Sequence, residues 1–165
     1  MSSFNRRSLI LMPLALGACG FTPAYAPGNP ASGLQGAIRV AEPDSKEGFD
    51  LVERLEERLG LPSGARYDLT YTIKTQSSQV GITPDNTIQR FHLTGSVEWS
   101  LISLGSGARV TGGKVENFAA YSATGSTVAG LAAEEDAGYR LMRMLADQII
   151  TRLIATAGTW AEQGA

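Results

Sequence analysis

The sequence predicts an α+β domain: an antiparallel sheet with two helices packed on one face, in the element order β-α-β-β-β-α. Three observations lead there. Apolar residues recur at helical spacing in two stretches, one early and one at the end of the chain. Between them the apolar period shortens to two over three long segments, and residues of turn-forming type separate those segments. A sheet with both helices on one face buries the two helical stripes and the alternating strand faces together.

The first strand is short, Ala37-Ile38-Arg39-Val40, and Pro43 closes it. Asp44 stands three residues before Glu47, the spacing of a capping box with Asp in place of Ser or Thr. Leu51, Val52, Leu55 and Leu59 then recur at helical spacing before Gly60 and Pro62. Residues 45–59 therefore read as an amphipathic helix, whose Glu53, Arg54, Glu56, Glu57 and Arg58 form a solvated charged stripe. Tyr67, Leu69, Tyr71 and Ile73 alternate with Asp68, Thr70, Thr72 and Lys74, giving the second strand. A turn at Thr83, Pro84, Asp85 and Asn86 leads to the third, where Phe91, Leu93, Gly95, Val97, Trp99 and Leu101 alternate with His92, Thr94, Ser96, Glu98 and Ser100. Gly105-Ser106-Gly107 makes the next turn. Arg109 to Tyr121 is the last strand, with Gly112-Gly113 marking a bulge or kink. From Ser126 the helical period returns: Leu131, Gly138, Met142, Leu145, Ile149 and Leu153 share a stripe that Leu141, Ile150 and Ile154 widen. Acidic residues come early in this helix and arginines late, which suits the helix dipole.

Ahead of the domain lies a different kind of sequence. Residues 1–18 have a basic start at Arg6 and Arg7, an apolar span from Leu9 to Leu16, and two small residues before Cys19, the layout of an export signal. Leu16-Gly17-Ala18-Cys19 is similar to a bacterial lipobox, in which the thiol is acylated, the chain is cut before the cysteine and the new amine is acylated too. Cys19 is the only cysteine, so no disulfide can form within the chain, and attachment to a membrane through fatty acyl groups such as palmitate explains it. Gly20 occupies the place where an Asp commonly holds Gram-negative lipoproteins at the inner membrane, so the outer membrane is the expected location. Residues 19–34 carry a Pro- and Gly-rich stretch with little charge, an extended tether; residues 35–158 form the domain and 159–165 a tail.

Cleavage of the 18-residue leader from the 165-residue chain leaves 147 residues, enough for one domain with a core. Without Arg6 and Arg7, 12 basic residues face 16 acidic ones, a formal balance of −4. That balance argues against a nucleic-acid binder. The single histidine, His92, falls on the outward side of a strand without a nucleophile elbow, and neither metal-ligand spacing nor a phosphate-binding glycine loop is present in the sequence. A binding or assembly role without a cofactor is favoured over catalysis.

The lipobox cysteine followed by Gly20-Phe21 and Tyr25, the Pro-rich tether, Gly95 in the middle strand, Tyr121-Ser122 after the last strand and the helix from Asp136-Ala137 to Leu153 together resemble the LPS-assembly lipoprotein family LptE in its alphaproteobacterial form. The resemblance implies a non-catalytic partner of the outer-membrane β-barrel LptD that plugs the barrel, helps it assemble and contacts lipopolysaccharide on its way to the outer leaflet. Lipid A phosphates call for Arg or Lys donors, for which Lys74, Arg90, Arg109 and Lys114 are candidates. Barrel contacts are expected at Thr72 and Ser96 on the hydroxyl-rich sheet face and in the turn from Thr83 to Asn86. A lipoprotein subunit of another envelope lipid-transport system is the alternative, and solubilising charge is the alternative role for each basic residue.

Overall fold

The computed structural model describes residues 26, 28–80, 90–123 and 126–161. The leader, Cys19 and the turn containing Thr83, Pro84, Asp85 and Asn86 lie outside the described residues. The elements are β1 (Ile38–Val40), α1 (Lys46–Leu59), β2 (Tyr67–Gln79), β3 (Arg90–Ser103), β4 (Arg109–Ser122) and α2 (Thr127–Trp160), in the expected order. A 3-10 turn at Pro30–Gly33 precedes them.

The sheet runs β1-β2-β3-β4, and it is mixed, where the sequence led us to expect an antiparallel one. The three long strands are antiparallel neighbours, whereas β1 pairs with β2 in parallel, Ile38 opposite Tyr67 and Val40 opposite Leu69. Helix α1 is the reason: it carries the chain back before β2 begins, and a strand re-entering beside its predecessor after such a crossover runs in the same direction.

Helix α1 starts one residue later than its charge pattern suggests. Ser45 is the N-cap, its hydroxyl accepting from the Gly48 N–H at 3.1 Å, so the capping residue is Ser45 and not Asp44. Gly60 ends the helix at φ 78°, a conformation that costs a residue without Cβ little. Gly112 and Gly113 do not form a bulge. They pair in register with Ser100 and Trp99, and the irregularity lies one step away, between Leu101 and Ile102. The glycines are there for close approach: a Cβ at Gly112 would come within 2.6 Å of the Trp99 carbonyl and overlap the Arg109 guanidinium.

The core lies between the sheet and the helices. Leu51, Leu55 and Leu59 of α1 and Leu141, Leu145, Ile149 and Leu153 of α2 are buried against Leu69, Val97, Trp99, Leu101 and Val115. Trp160 packs edge-on against Tyr67, ring centroids 5.3 Å apart. Core residues extend past residues 35–158: Ala31 and Leu34 are buried before that range and Trp160 after it. Leu131, expected in the buried stripe, is exposed, and burial along α2 begins at Ala137. Arg54 also departs from the solvated stripe: its guanidinium donates to both carboxylate oxygens of Asp147 on α2, each at 3.0 Å, and to Glu57 at 2.9 Å. Asp147 and Glu57 thereby raise the Arg54 pKa, and Arg54 holds the Glu57 carboxyl below its ordinary value.

Candidate functional site

Strand alternation sorts the residues of this sheet with little mixing. Odd-numbered positions of β2 and β3 face the helices and even-numbered positions face away, and the register carries that division into β4. All eight charged residues of the four strands fall on the face turned away from the helices: Arg39, Asp68, Lys74, Arg90, Glu98, Arg109, Lys114 and Glu116. Five are basic and three acidic. The two helices together carry six basic and nine acidic residues, so the molecule is electrically sided, with its positive excess on the open sheet face.

Cross-strand rows give the detail. Thr70 lies opposite Ser100, which lies opposite Gly112; Thr72, Glu98 and Lys114 form the next row; Lys74, Ser96 and Glu116 the one after. Lys114 Nζ pairs with Glu116 at 2.5 Å, and that carboxylate raises the lysine pKa. Arg109 lies over the backbone of Gly112, where a side chain at that position would exclude it. Thr70, Thr72, Glu98, Ser100, Arg109 and Lys114 line a shallow concavity of about 450 Å³. Its hydroxyls, two cations and single carboxylate offer hydrogen bonds to phosphate and sugar oxygens.

The four basic candidates share this face, but the structure does not bring all of them together. Lys74 and Lys114 occupy neighbouring rows and Arg109 enters from the end beside Ile102. Arg90 lies opposite Ser122 at the far end, twelve residues along β3 from Ile102, or roughly 40 Å in an extended strand. Lys74 and Arg109 have no ion pair with other described residues, so their charge is available to a ligand. Of the barrel-contact candidates, Thr72 is exposed and Ser96 half-buried between Lys74 and Glu116, both on this face. His92 also faces outward, its ring tilted against Phe118 with centroids 5.0 Å apart. The sidedness of charge was open to sequence reasoning through the period-2 pattern; the seat of Arg109 over Gly112 was not, because it depends on the register shift beside Ile102. Among the described residues no helix is long and apolar enough to cross a membrane.

A family model described as "LptE: Lipopolysaccharide-assembly" matches residues 36–153. No curated protein sequence matches the chain. Among solved structures, a lipoprotein candidate of Caulobacter crescentus CB15 superposes with a TM-score of 0.66 at 24% identity, over 78% of this chain and 95% of that one. Rare lipoprotein B of Shewanella oneidensis superposes at 0.56 with 18% identity, over 73% and 93%. A minor lipoprotein of Acinetobacter baumannii gives 0.53 with 14% identity, over 72% and 89%. These likenesses show that the fold is shared.

Proposed function

The chain belongs to the LptE lipopolysaccharide-assembly family, and from that premise we propose that it is an outer-membrane lipoprotein, acylated at Cys19, whose domain enters the LptD β-barrel as a plug, helps that barrel assemble and takes part in moving lipopolysaccharide to the outer leaflet. The role is binding and scaffolding, not catalysis. The observation that carries the reading is the composition of the open sheet face. Every strand charge lies there, interspersed with Thr70, Thr72, Thr94, Ser96 and Ser100, and the lumen of an outer-membrane barrel is polar in the same way. A carrier of phospholipid acyl chains needs an apolar groove, and the concavity on this face is lined by hydroxyls and charges.

For lipopolysaccharide, Lys74, Lys114 and Arg109 are the phosphate-binding candidates, and Arg90 acts apart from them. The net positive excess of the face attracts an anionic headgroup that the acidic helices repel. The test is photo-crosslinking in cells from positions Thr72 and Ser96, together with depletion of the protein. The expected outcome is a cross-link to a large outer-membrane β-barrel and loss of that barrel's mature form on depletion. Normal barrel maturation with no cross-link from either position would refute the reading.

A further inference from the structure

The two outer edges of the sheet are treated differently. On β4 the outward-directed backbone belongs to the even-numbered residues, because the odd-numbered ones pair with β3. Side chains cover much of that edge: Arg152 donates to the Lys114 carbonyl, Gln148 to the Glu116 carbonyl and Arg140 to the Ala120 carbonyl, while the Phe118 N–H donates to the side chain of Asn117. Capping of this kind prevents another strand from adding there.

Strand β2 has no such cover among the described residues. Its even-numbered residues face β3, as shown by the bonds from Leu104 N–H to the Arg66 carbonyl and from Val80 N–H to the Arg90 carbonyl. Its odd-numbered residues face the other way, and β1 uses them only as far as Leu69, whose carbonyl accepts from Ala41. Past that point the outward N–H and C=O groups of Ile73, Thr75, Ser77 and Gln79 meet no partner among the described residues, and residues 74–80 are all exposed. Beside this edge, on the helix side, is a groove of about 390 Å³ with Thr75, Ser77 and Leu93 in its wall. Glu47, Asp50, Glu134 and Glu135 rim it, against one ammonium group, Lys46, already paired with Asp50 at 3.6 Å.

The geometry points to strand addition: the edge of β2 from Ile73 to Gln79 takes up an extended segment of the barrel partner in which every second residue, the one turned to the helix side, is basic. Main-chain hydrogen bonds hold the added strand, and its helix-side basic residues meet the carboxylates of Glu47, Asp50, Glu134 and Glu135, their aliphatic stems lying along Leu93. A second copy of this chain is a poor occupant, because two copies joined at this edge would bring two acidic rims together. Only the source of the segment, the barrel partner, rests on the function proposed above; the chemistry of the edge does not.

Amide hydrogen exchange tests it. In the free full-length protein the Ile73, Thr75, Ser77 and Gln79 amides exchange fast, and in the complex purified with its barrel they slow by at least about tenfold. Thr75→Pro removes one outward N–H from an edge strand, where proline is tolerated, and is expected to keep the wild-type melting curve while losing that protection; Thr75→Ala keeps it. A nine-residue peptide of alternating Lys and Val protects the same amides at low salt, and one of alternating Glu and Val does not. A complex that forms without slowing these amides overturns the proposal and leaves the barrel function standing. Failure to recover any barrel counts against the function alone, and the Lys/Val peptide then decides the edge, no protection overturning it. Slow exchange in the free monomer, or protection that rises with protein concentration as dimers form, also overturns it, since the chain itself or a second copy would then cover the edge.

Discussion

Gly95→Ala tests the packing that holds the long helix on the sheet. Gly95 faces α2, and a Cβ there would lie 2.9 Å from Leu141 Cδ2 and 3.1 Å from Leu145 Cδ1. Both leucines are fully buried, so neither can swing into solvent. Carbon atoms settle at about 3.5–4.0 Å, and the leucine ends must therefore retreat by roughly half an ångström or more into a filled core. Overpacking of this size costs about 1–3 kcal/mol. Alanine recovers about 0.4–1 kcal/mol by restricting the unfolded chain. The larger effect wins, and the net loss is about 1–2 kcal/mol, or roughly 5 °C in melting temperature for a domain of this size. Urea denaturation is the assay: the midpoint falls while the slope stays constant. With Leu141→Ala already present, the added methyl has room, and the cost of Gly95→Ala should shrink by at least about 1 kcal/mol. A single variant within about 0.5 kcal/mol of wild type, or strictly additive effects, would refute this account of the contact.

Cys19→Ser is expected to leave an uncut, unacylated precursor, and fatty-acid labelling equal to wild type would count against the lipobox. Arg54→Ala removes the bidentate bridge between the helices and should cost about 1 kcal/mol in urea denaturation, discounted because Asp147 and Glu57 are partly exposed. The same variant has a pH signature. Arg54 lowers the folded-state pKa of Glu57, so the stabilisation is complete above the ordinary glutamate value and is lost as pH falls through the lower folded one; without Arg54 that acid-limb loss flattens. Lys74→Glu combined with Arg109→Glu should weaken lipopolysaccharide binding several-fold at low salt and little at high salt, with Arg90→Glu alone doing less. Equal effects from both variants would dissolve the grouping of Lys74 with Arg109.

Local periodicity carried most of the fold. The three long strands and both helices were legible because each spans many turns of its own period, and Ser126 caps α2 where the helical pattern begins. What escaped depends on distant partners. The parallel pairing of β1 is a property of the α1 crossover and leaves no mark in three residues. Leu131 fits the helical stripe, yet it precedes Ala137, where burial of α2 begins, and a stripe cannot tell where its partner surface starts. Arg54 reads as one member of a charged run, and only the approach of Asp147, 93 residues away, makes it a link between the helices. The site followed the same division. Alternation placed Lys74, Thr72 and Ser96 at outward-facing strand positions, but the place of Lys114 beside them and the separation of Arg90 from Arg109 needed the register.

The sided charge bears on how a domain of net negative charge can meet an anionic lipid. Taken as a whole, 12 basic against 16 acidic residues after the leader would repel it. Beyond about 10 Å in ordinary salt, however, exposed charges are screened, so a headgroup at the open sheet face experiences chiefly the five basic and three acidic residues there, not those behind the sheet. Glu116 occupies Lys114 and Asp68 occupies Arg39 at 2.8 Å, which leaves Lys74 and Arg109 against Glu98, with Arg90 too far along the sheet to act with them. Such a surface is expected to hold an anion weakly, with an affinity that falls as salt rises. Weak holding suits the proposed role of passing lipopolysaccharide onward, whereas a storage protein would be expected to have a denser basic cluster.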